Sequence, residues 1–329
     1  MKLKVFVTRS IPGDAIPRLK KKYDVRVYPK DRVIPRAELL QGVKWCDALL
    51  CLLTETIDQE VIDANPHLKV ISNYAVGYDN IDVGYATKKS LPVCNTPSQQ
   101  VVDAVAEHTF ALLMGIAKRI HEDEEYVREN QWKGWAPKLL LGTQVKGKTL
   151  GIVGLGKIGT GVAERAAQGM GMKVLYHDIH HNHEFERKYH TKYVSLPVLL
   201  RQSDFVSLHV PLLPSTKHLI GAKELRMMKK SAYLINTARG PIVDENALIK
   251  ALQQRTIAGA GLDVYEHKPQ VDPRLKKLHN CILTPHTASA TIEVRLQMSK
   301  DAADNIIAIL SGKRALKTVN PEVYGKKKS

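Results

Sequence analysis

The residues best able to do chemistry begin with three glycines. In the segment KTLGIVGLGKIGTGVAERAAQ (148–168), Gly154, Gly156 and Gly159 follow an apolar run and precede a helix-compatible one. On its own, G-x-G-x-x-G is a weak signal, but between a strand and a helix each glycine has a purpose. The first permits a tight turn, the second lets backbone approach a pyrophosphate, and the third lets helix and strand pack closely. The helix N-terminus then faces the phosphates, with Leu155, Lys157 and Ile158 filling the loop. An acidic residue about 20 positions on, at the end of the next strand, completes the pattern. Asp178 stands there, 19 after Gly159, closing KVLYHD. A carboxylate at that point accepts hydrogen bonds from ribose hydroxyls and repels a 2′-phosphate, which predicts NAD(H) over NADP(H). His180, His181 and His183 follow at once and soften that preference with positive charge.

The elements that must position such a loop are an alternation of strands and helices, the pattern of parallel sheets covered on both faces. In the first hundred residues strands are expected at 4–8, 25–28, 48–53, 70–73 and 92–94, with helices at 14–22, 35–43, 58–64 and 81–89. An uninterrupted stretch from Val101 to about Asn130 reads as one long helix, apolar at its start and charged at its end. Six further strands are expected at 148–153, 173–177, 204–210, 232–236, 259–264 and 281–284, and helices at 157–167, 222–229 and 244–253. A last helix, about 291–310, would return to the first domain. The expected fold is α/β, with a flavodoxin-like domain (1–100 plus 291–329) and a Rossmann domain (101–290), both doubly wound. In open sheets of this kind chemistry lies outside the carboxyl ends of the strands, here in an interdomain cleft.

Five patches join the glycine motif. They are AVGYDNID (75–82), SLHVPLLPSTKHLI (207–220), INTARGPIVDENAL (235–248), AGLDVYEHKP (260–269) and LTPHTASAT (283–291). Together and in this order they resemble the D-isomer-specific 2-hydroxyacid dehydrogenases nearly end to end, most nearly the glyoxylate/hydroxypyruvate reductases. The resemblance implies NAD-dependent reduction of a small 2-keto acid to the D-2-hydroxy acid. Arg239 would clamp carboxylate and carbonyl with its planar fork, and His286 would give and take the proton, as an imidazole can near neutral pH. The backbone of Val76 and Gly77 would bind the substrate carboxylate, with Leu53 and Tyr74 shaping a small pocket. Asp263 would hold the nicotinamide carboxamide. Thr237, Ala238 and Arg239 would line the nicotinamide, with His286 beside it. His209, Val210, Pro211 and Thr216 would line the adenine side. No metal is implied.

At one point the sequence departs from that family. Relatives carry a Glu directly before the Pro that follows the Asp-Val-aromatic run; here that position is Lys268. The missing Glu would orient the catalytic His and favour its protonated form. A protonated Lys cannot accept the imidazole hydrogen bond and opposes the charge. Three readings compete: catalysis with a depressed His286 pKa, compensation by Glu266 or another carboxylate, or an impaired NADH-binding sensor or co-regulator.

The remaining features bound the class. Apolar residues make up 44% and charged residues 25%, as in an ordinary globular protein. No apolar run approaches the roughly 18 residues that span a bilayer, and the N-terminus shows no secretory signal. Cys46, Cys51, Cys94 and Cys281 have neither metal-ligand spacing nor a disulfide framework. A cytoplasmic protein is expected, without membrane association. The net charge of +16 attracts anions. The basic residues are nevertheless scattered, with only Lys326, Lys327 and Lys328 forming a run, so nucleic acid is not the expected partner. A homodimer is, paired through the apolar start of the long helix.

Overall fold

A computed structural model describes residues 2–325; the lysine run at 326–328 lies outside them. The chain forms two compact units, Met1–Val101 with Ala290–Ser329, and Val102–Ser289.

In the first unit five strands, β1 (Lys4–Val7), β2 (Asp24–Val27), β3 (Ala48–Cys51), β4 (Val70–Asn73) and β5 (Val93–Cys94), make one parallel sheet in the order β2-β1-β3-β4-β5. That is the flavodoxin-like order. β3 and β4 are buried along their whole length, as the continuous apolar run of a doubly covered parallel strand requires. Helices Ala15–Lys22, Arg36–Trp45, Gln59–Asp63 and Val83–Lys88 connect the strands. Two of them start at aspartates that cap their own helix: Asp58 accepts from the Val61 N–H and Asp82 from the Tyr85 N–H. Helix Ile292–Leu310, capped by Thr291, returns to this sheet, where Ser72 donates to the Ala302 carbonyl.

The second unit has seven parallel strands, one more than the sequence suggests. They are β6 (Thr149–Val153), β7 (Lys173–His177), β8 (Lys192–Tyr193), β9 (Phe205–Leu208), β10 (Tyr233–Asn236), β11 (Gly259–Leu262) and β12 (Cys281–Leu283), ordered β12-β11-β10-β9-β6-β7-β8. The unforeseen β8 is two residues long and carries no apolar run; only its pairing with β7 makes it a strand. Helices His183–Tyr189 and Leu196–Gln202 were likewise not expected, being one to two turns each. The first of them has four charged residues in seven and buries Phe185 alone. One face of the sheet packs Leu199, Leu225, Leu248 and Ile249, and the other packs Leu113, Ile116, Val162 and Tyr176.

The long helix divides. It runs Gln99–Ala117, breaks, and resumes as Ile120–Arg128. The break is a tertiary cap: the Thr143 N–H donates to the Ala117 carbonyl, and Arg119 turns left-handed with φ of +58°. The Arg119 guanidinium then holds Glu122 with two hydrogen bonds, fixing the new start. Helix Gln99–Ala117 is by length and composition long and apolar enough to cross a membrane, yet most of it is buried in the protein. Its apolar start therefore lies in the interior, where Val102, Ala106, Phe110 and Leu113 are covered. The apolar side chains left exposed come later: Ile120, Val127, Trp132, Trp135 (86% exposed) and Leu141.

Ile152 is fully buried on β6, and a Cβ added to Gly159 would lie 3.3 Å from its Cγ2, so it forms the floor under the glycine turn. Ile152→Ala is expected to cost about 2–5 kcal/mol in urea unfolding. A loss under about 1 kcal/mol would contradict close packing there.

Candidate active site

The glycine turn is built by close approaches. Gly154 has φ of +95°, and a Cβ on it would lie 2.9 Å from both the His209 carbonyl carbon and the Val210 nitrogen. The end of β6 is thereby pressed against the residues after β9, which brings His209 and Val210 to the loop. A Cβ on Gly159 would sit 2.0 Å from the Gly154 carbonyl oxygen, so no other residue fits. At Gly156 a Cβ would meet nothing within 4 Å, leaving that side open. Helix Lys157–Gln168 starts here with no side-chain cap, and its first internal bond is from the Thr160 N–H to the Gly156 carbonyl. An open approach at uncapped N–H groups fits a pyrophosphate.

Asp178 lies at the end of β7, its Oδ2 accepting the Leu155 N–H at 2.6 Å and its Oδ1 the His180 N–H at 3.2 Å. The carboxylate is thus held beside the glycine turn, where a ribose would be met. His209 bonds Ser207 through Nε2 at 2.8 Å, and burial pushes its pKa down to about 3, so the ring is neutral. Thr216 donates to the Pro211 carbonyl and accepts the Leu213 N–H, closing an exposed turn. The residues present fit a dinucleotide.

Arg239 and His286 follow β10 and β12, the two strands flanking β11. The buried Asn236 shapes the first turn. Its Oδ1 accepts the Ala238 N–H and its Nδ2 donates to the Arg239 carbonyl, both at 3.0 Å. Thr237 is buried and its hydroxyl meets that of Thr109 at 3.0 Å. The Arg239 Nη1 donates to the Ala238 carbonyl at 2.7 Å. Gly240 passes so near Tyr265 that a Cβ would lie 2.0 Å from its carbonyl carbon and oxygen. The Tyr265 hydroxyl in turn donates to the Thr284 carbonyl at 2.9 Å, so one tyrosine braces both turns.

Asp263 sits beneath the His286 loop and is fully buried. Its Oδ1 accepts from the Thr284 hydroxyl at 2.6 Å and the Thr287 N–H at 2.8 Å, and its Oδ2 from the Ala288 N–H at 2.9 Å. His108 Nε2 approaches Oδ1 to 3.5 Å and the Thr284 hydroxyl to 3.1 Å. Burial alone would raise the Asp263 pKa, but His108, Thr284 and the two N–H groups outweigh it and hold the carboxyl below its ordinary value. The loop so anchored places His286 at φ of +56°. A role on the nicotinamide carboxamide was expected for Asp263; its bonds in the structure are to the loop that carries the histidine.

In the first unit, the Val76 carbonyl accepts Asn95 Nδ2 at 2.7 Å and the Gly77 carbonyl accepts Asn73 Nδ2 at 2.9 Å. Asn80 locks the neighbouring turn to the Leu52 and Glu55 carbonyls. Among the described residues no protein acceptor is shown for the Val76 or Gly77 N–H, and both residues are partly exposed. Leu53 is half-buried and Tyr74 buried, its hydroxyl donating to the Arg295 carbonyl at 2.9 Å.

Lys268 is exposed. Glu266, one carboxylate considered for compensation, bonds other groups. Its Oε1 lies 2.6 Å from His218 Nε2, its Oε2 accepts the Glu245 N–H, and its own N–H donates to Glu245. Burial opposes its ionisation, but His218 and the Glu245 N–H hold its pKa below the usual value. Sequence reasoning missed Asn73, Asn95, Asn236, Tyr265 and His108. The available signal was an apolar strand ending in Asn, as at Val70–Asn73 and Tyr233–Asn236, where a side-chain amide clamps the next turn.

Asp263→Asn leaves one acceptor oxygen where several donors converge, and should cost about 2–3 kcal/mol of stability at neutral pH. Because the folded-state pKa is depressed, this contribution is present above the unfolded value and fades as pH falls below about 4. Wild type and variant should converge in acid; a gap independent of pH would contradict the assignment.

Residues 110–288, over half of the chain, match the family model "D-isomer specific 2-hydroxyacid dehydrogenase, NAD binding domain". The glyoxylate reductase of Thermococcus litoralis is 47% identical over 327 residues, 98% of either chain. Among solved structures, a Thermus thermophilus protein superposes with a TM-score of 0.91 at 39% identity, covering 96% of this chain and 100% of that one. An NADPH-dependent glyoxylate/hydroxypyruvate reductase of Sinorhizobium meliloti, solved with NADP and malonate, gives 0.85 at 29% identity, covering 98% of each. With its glycine turn, its two parallel sheets and its Arg and His on flanking strand ends, the chain belongs to the D-isomer-specific 2-hydroxyacid dehydrogenase family of oxidoreductases.

Proposed function

We propose that this protein reduces a small 2-keto acid, glyoxylate or hydroxypyruvate, to the D-2-hydroxy acid with NADH. The observation that carries the reading is the common bracing of Arg239 and His286: Tyr265 and Asp263, both after β11, hold the turns on either side. Arg239 clamps the substrate carboxylate and carbonyl with its fork. The unpaired N–H groups of Val76 and Gly77 take the carboxylate, with Leu53 and Tyr74 as pocket walls. NADH, when bound, supplies the hydride to the carbonyl carbon; His286 supplies the proton to the carbonyl oxygen. The first unit, 1–100 plus 291–329, serves the substrate and the second, 101–290, the cofactor. Gly154–Gly159 take the pyrophosphate, and His209, Val210, Pro211 and Thr216 line the adenine. Asp178 favours NADH, although a relative at 29% identity uses NADPH.

Lys268 weakens this site rather than abolishing it. Being exposed, its charge is screened by water, so the main consequence is the loss of a carboxylate at the position that the family resemblance pairs with His286. Loss of an orienting carboxylate costs a serine protease roughly four orders of magnitude in turnover. The alternative favoured by the commitment of Glu266 to His218 is an NADH-binding sensor without turnover. The four cysteines are buried and free, in keeping with a reducing, cytoplasmic setting. The exposed apolar side chains between Ile120 and Leu141 support a homodimer.

The test is NADH and NADPH oxidation with glyoxylate, hydroxypyruvate and pyruvate from about pH 5 to 9, wild type beside Lys268→Glu. Wild-type turnover is expected with NADH more efficient than NADPH. Lys268→Glu should raise kcat at least about tenfold and move the alkaline limb of the profile upward. Tight NADH binding with a silent wild type and an active Lys268→Glu would put the sensor reading first. Silence in both would overturn the enzymatic one.

A further inference from the structure

The loop after β7 carries a cluster that the reductase reading does not use. His181 and His183 flank Asn182, and one turn into helix His183–Tyr189 stands Glu186. One ligand atom from each of the three lies within 4.8 Å of the others. His181 Nδ1 is 3.6 Å from Glu186 Oε1, and His183 Nδ1 is 3.4 Å from Oε2. Two nitrogens and an oxygen, each about 2.0–2.1 Å from a tetrahedral ion, stand about 3.3 Å apart, so small side-chain rotations suffice.

The supports are also present. The Tyr176 hydroxyl donates to Glu186 Oε1 at 2.6 Å and accepts the Asn182 N–H at 2.8 Å, from a fully buried ring. His181 lies against the Tyr193 ring at 3.6 Å between centroids. Asn182 caps the helix by accepting the Phe185 N–H. Hydrogen-bonded carboxylates and oriented imidazoles are what outer partners of a metal site provide. His183 is 71% exposed, leaving room for a water as fourth ligand.

We propose that His181, His183 and Glu186 form a site for a divalent transition ion of the zinc class. Two imidazoles and one carboxylate suit zinc, or cobalt in its place, rather than magnesium or calcium, which take oxygen ligands. The ion would tie the loop that begins at Asp178, since the Tyr193 hydroxyl also donates to the Asp178 carbonyl at 3.2 Å. Occupancy should therefore stiffen the segment beside the ribose position and alter dinucleotide affinity.

The experiment is titration of the metal-free full chain with Co2+, read by visible absorption, and with Zn2+ by calorimetry. One tetrahedral Co2+ per chain is expected. Tyr176→Phe should weaken binding about 10–100-fold and His181→Ala, His183→Ala and Glu186→Gln at least as much. His180→Ala should bind like wild type, and thermal unfolding confirms that each variant folds. Calcium should not compete. No stoichiometric site, or binding unchanged by the three ligand variants, would overturn the proposal. So would an absence of metal binding together with NADPH affinity that falls in His181→Ala and His183→Ala, which would make the cluster a phosphate site.

Discussion

The carboxylate of Asp263 has no exposure to water, and a buried charge is tolerated only when hydrogen bonds replace its hydration. Here the donors are the Thr284 hydroxyl and the N–H groups of Thr287 and Ala288, with His108 close by. The loop therefore cannot relax without stranding that charge, and His286 is held in a left-handed conformation that a free histidine avoids. The same strand end supplies Tyr265, which abuts Gly240 after Arg239 and bonds Thr284 before His286. One buried anion and one buried phenol thus brace the turns that carry Arg239 and His286 after flanking strands. Other parts of the second unit depend on the order of strands that brings β10, β11 and β12 side by side.

The cofactor turn follows a different logic, in which space rather than charge is decisive. Gly154 and Gly159 are required because backbone atoms occupy the volume of a side chain, whereas Gly156 faces open space. Two glycines build the turn and the third leaves an approach to it. Asp178 accepts the Leu155 N–H, so the acidic residue is positioned by the glycine loop itself.

Lys268 is exposed, beside a framework whose own hydrogen bonds are intact. Glu266, two residues earlier, is held by His218 and by a reciprocal pair of hydrogen bonds with Glu245. Moving it would leave the Glu245 N–H without its acceptor. The segment therefore keeps a structural carboxylate at Glu266, while position 268 carries an exposed lysine.

The apolar runs from Val5 to Leu262 and the glycine spacing at 154–159 determined the parallel α/β plan by themselves, because a strand buried on both faces must be apolar and a turn crowded by backbone must be glycine. The break at Arg119 was not legible, since the cap on Ala117 comes from Thr143, distant in sequence. Nor was β8, which owes its state to β7 and not to its own two residues. The partner of Glu266 was equally hidden: composition allowed His286, and the fold brought His218. Local pattern determines what an element is, because propensity and burial periodicity act over a few residues. Which side chain meets which carboxylate is decided by contacts between segments far apart in the chain, and only the tertiary structure supplies those.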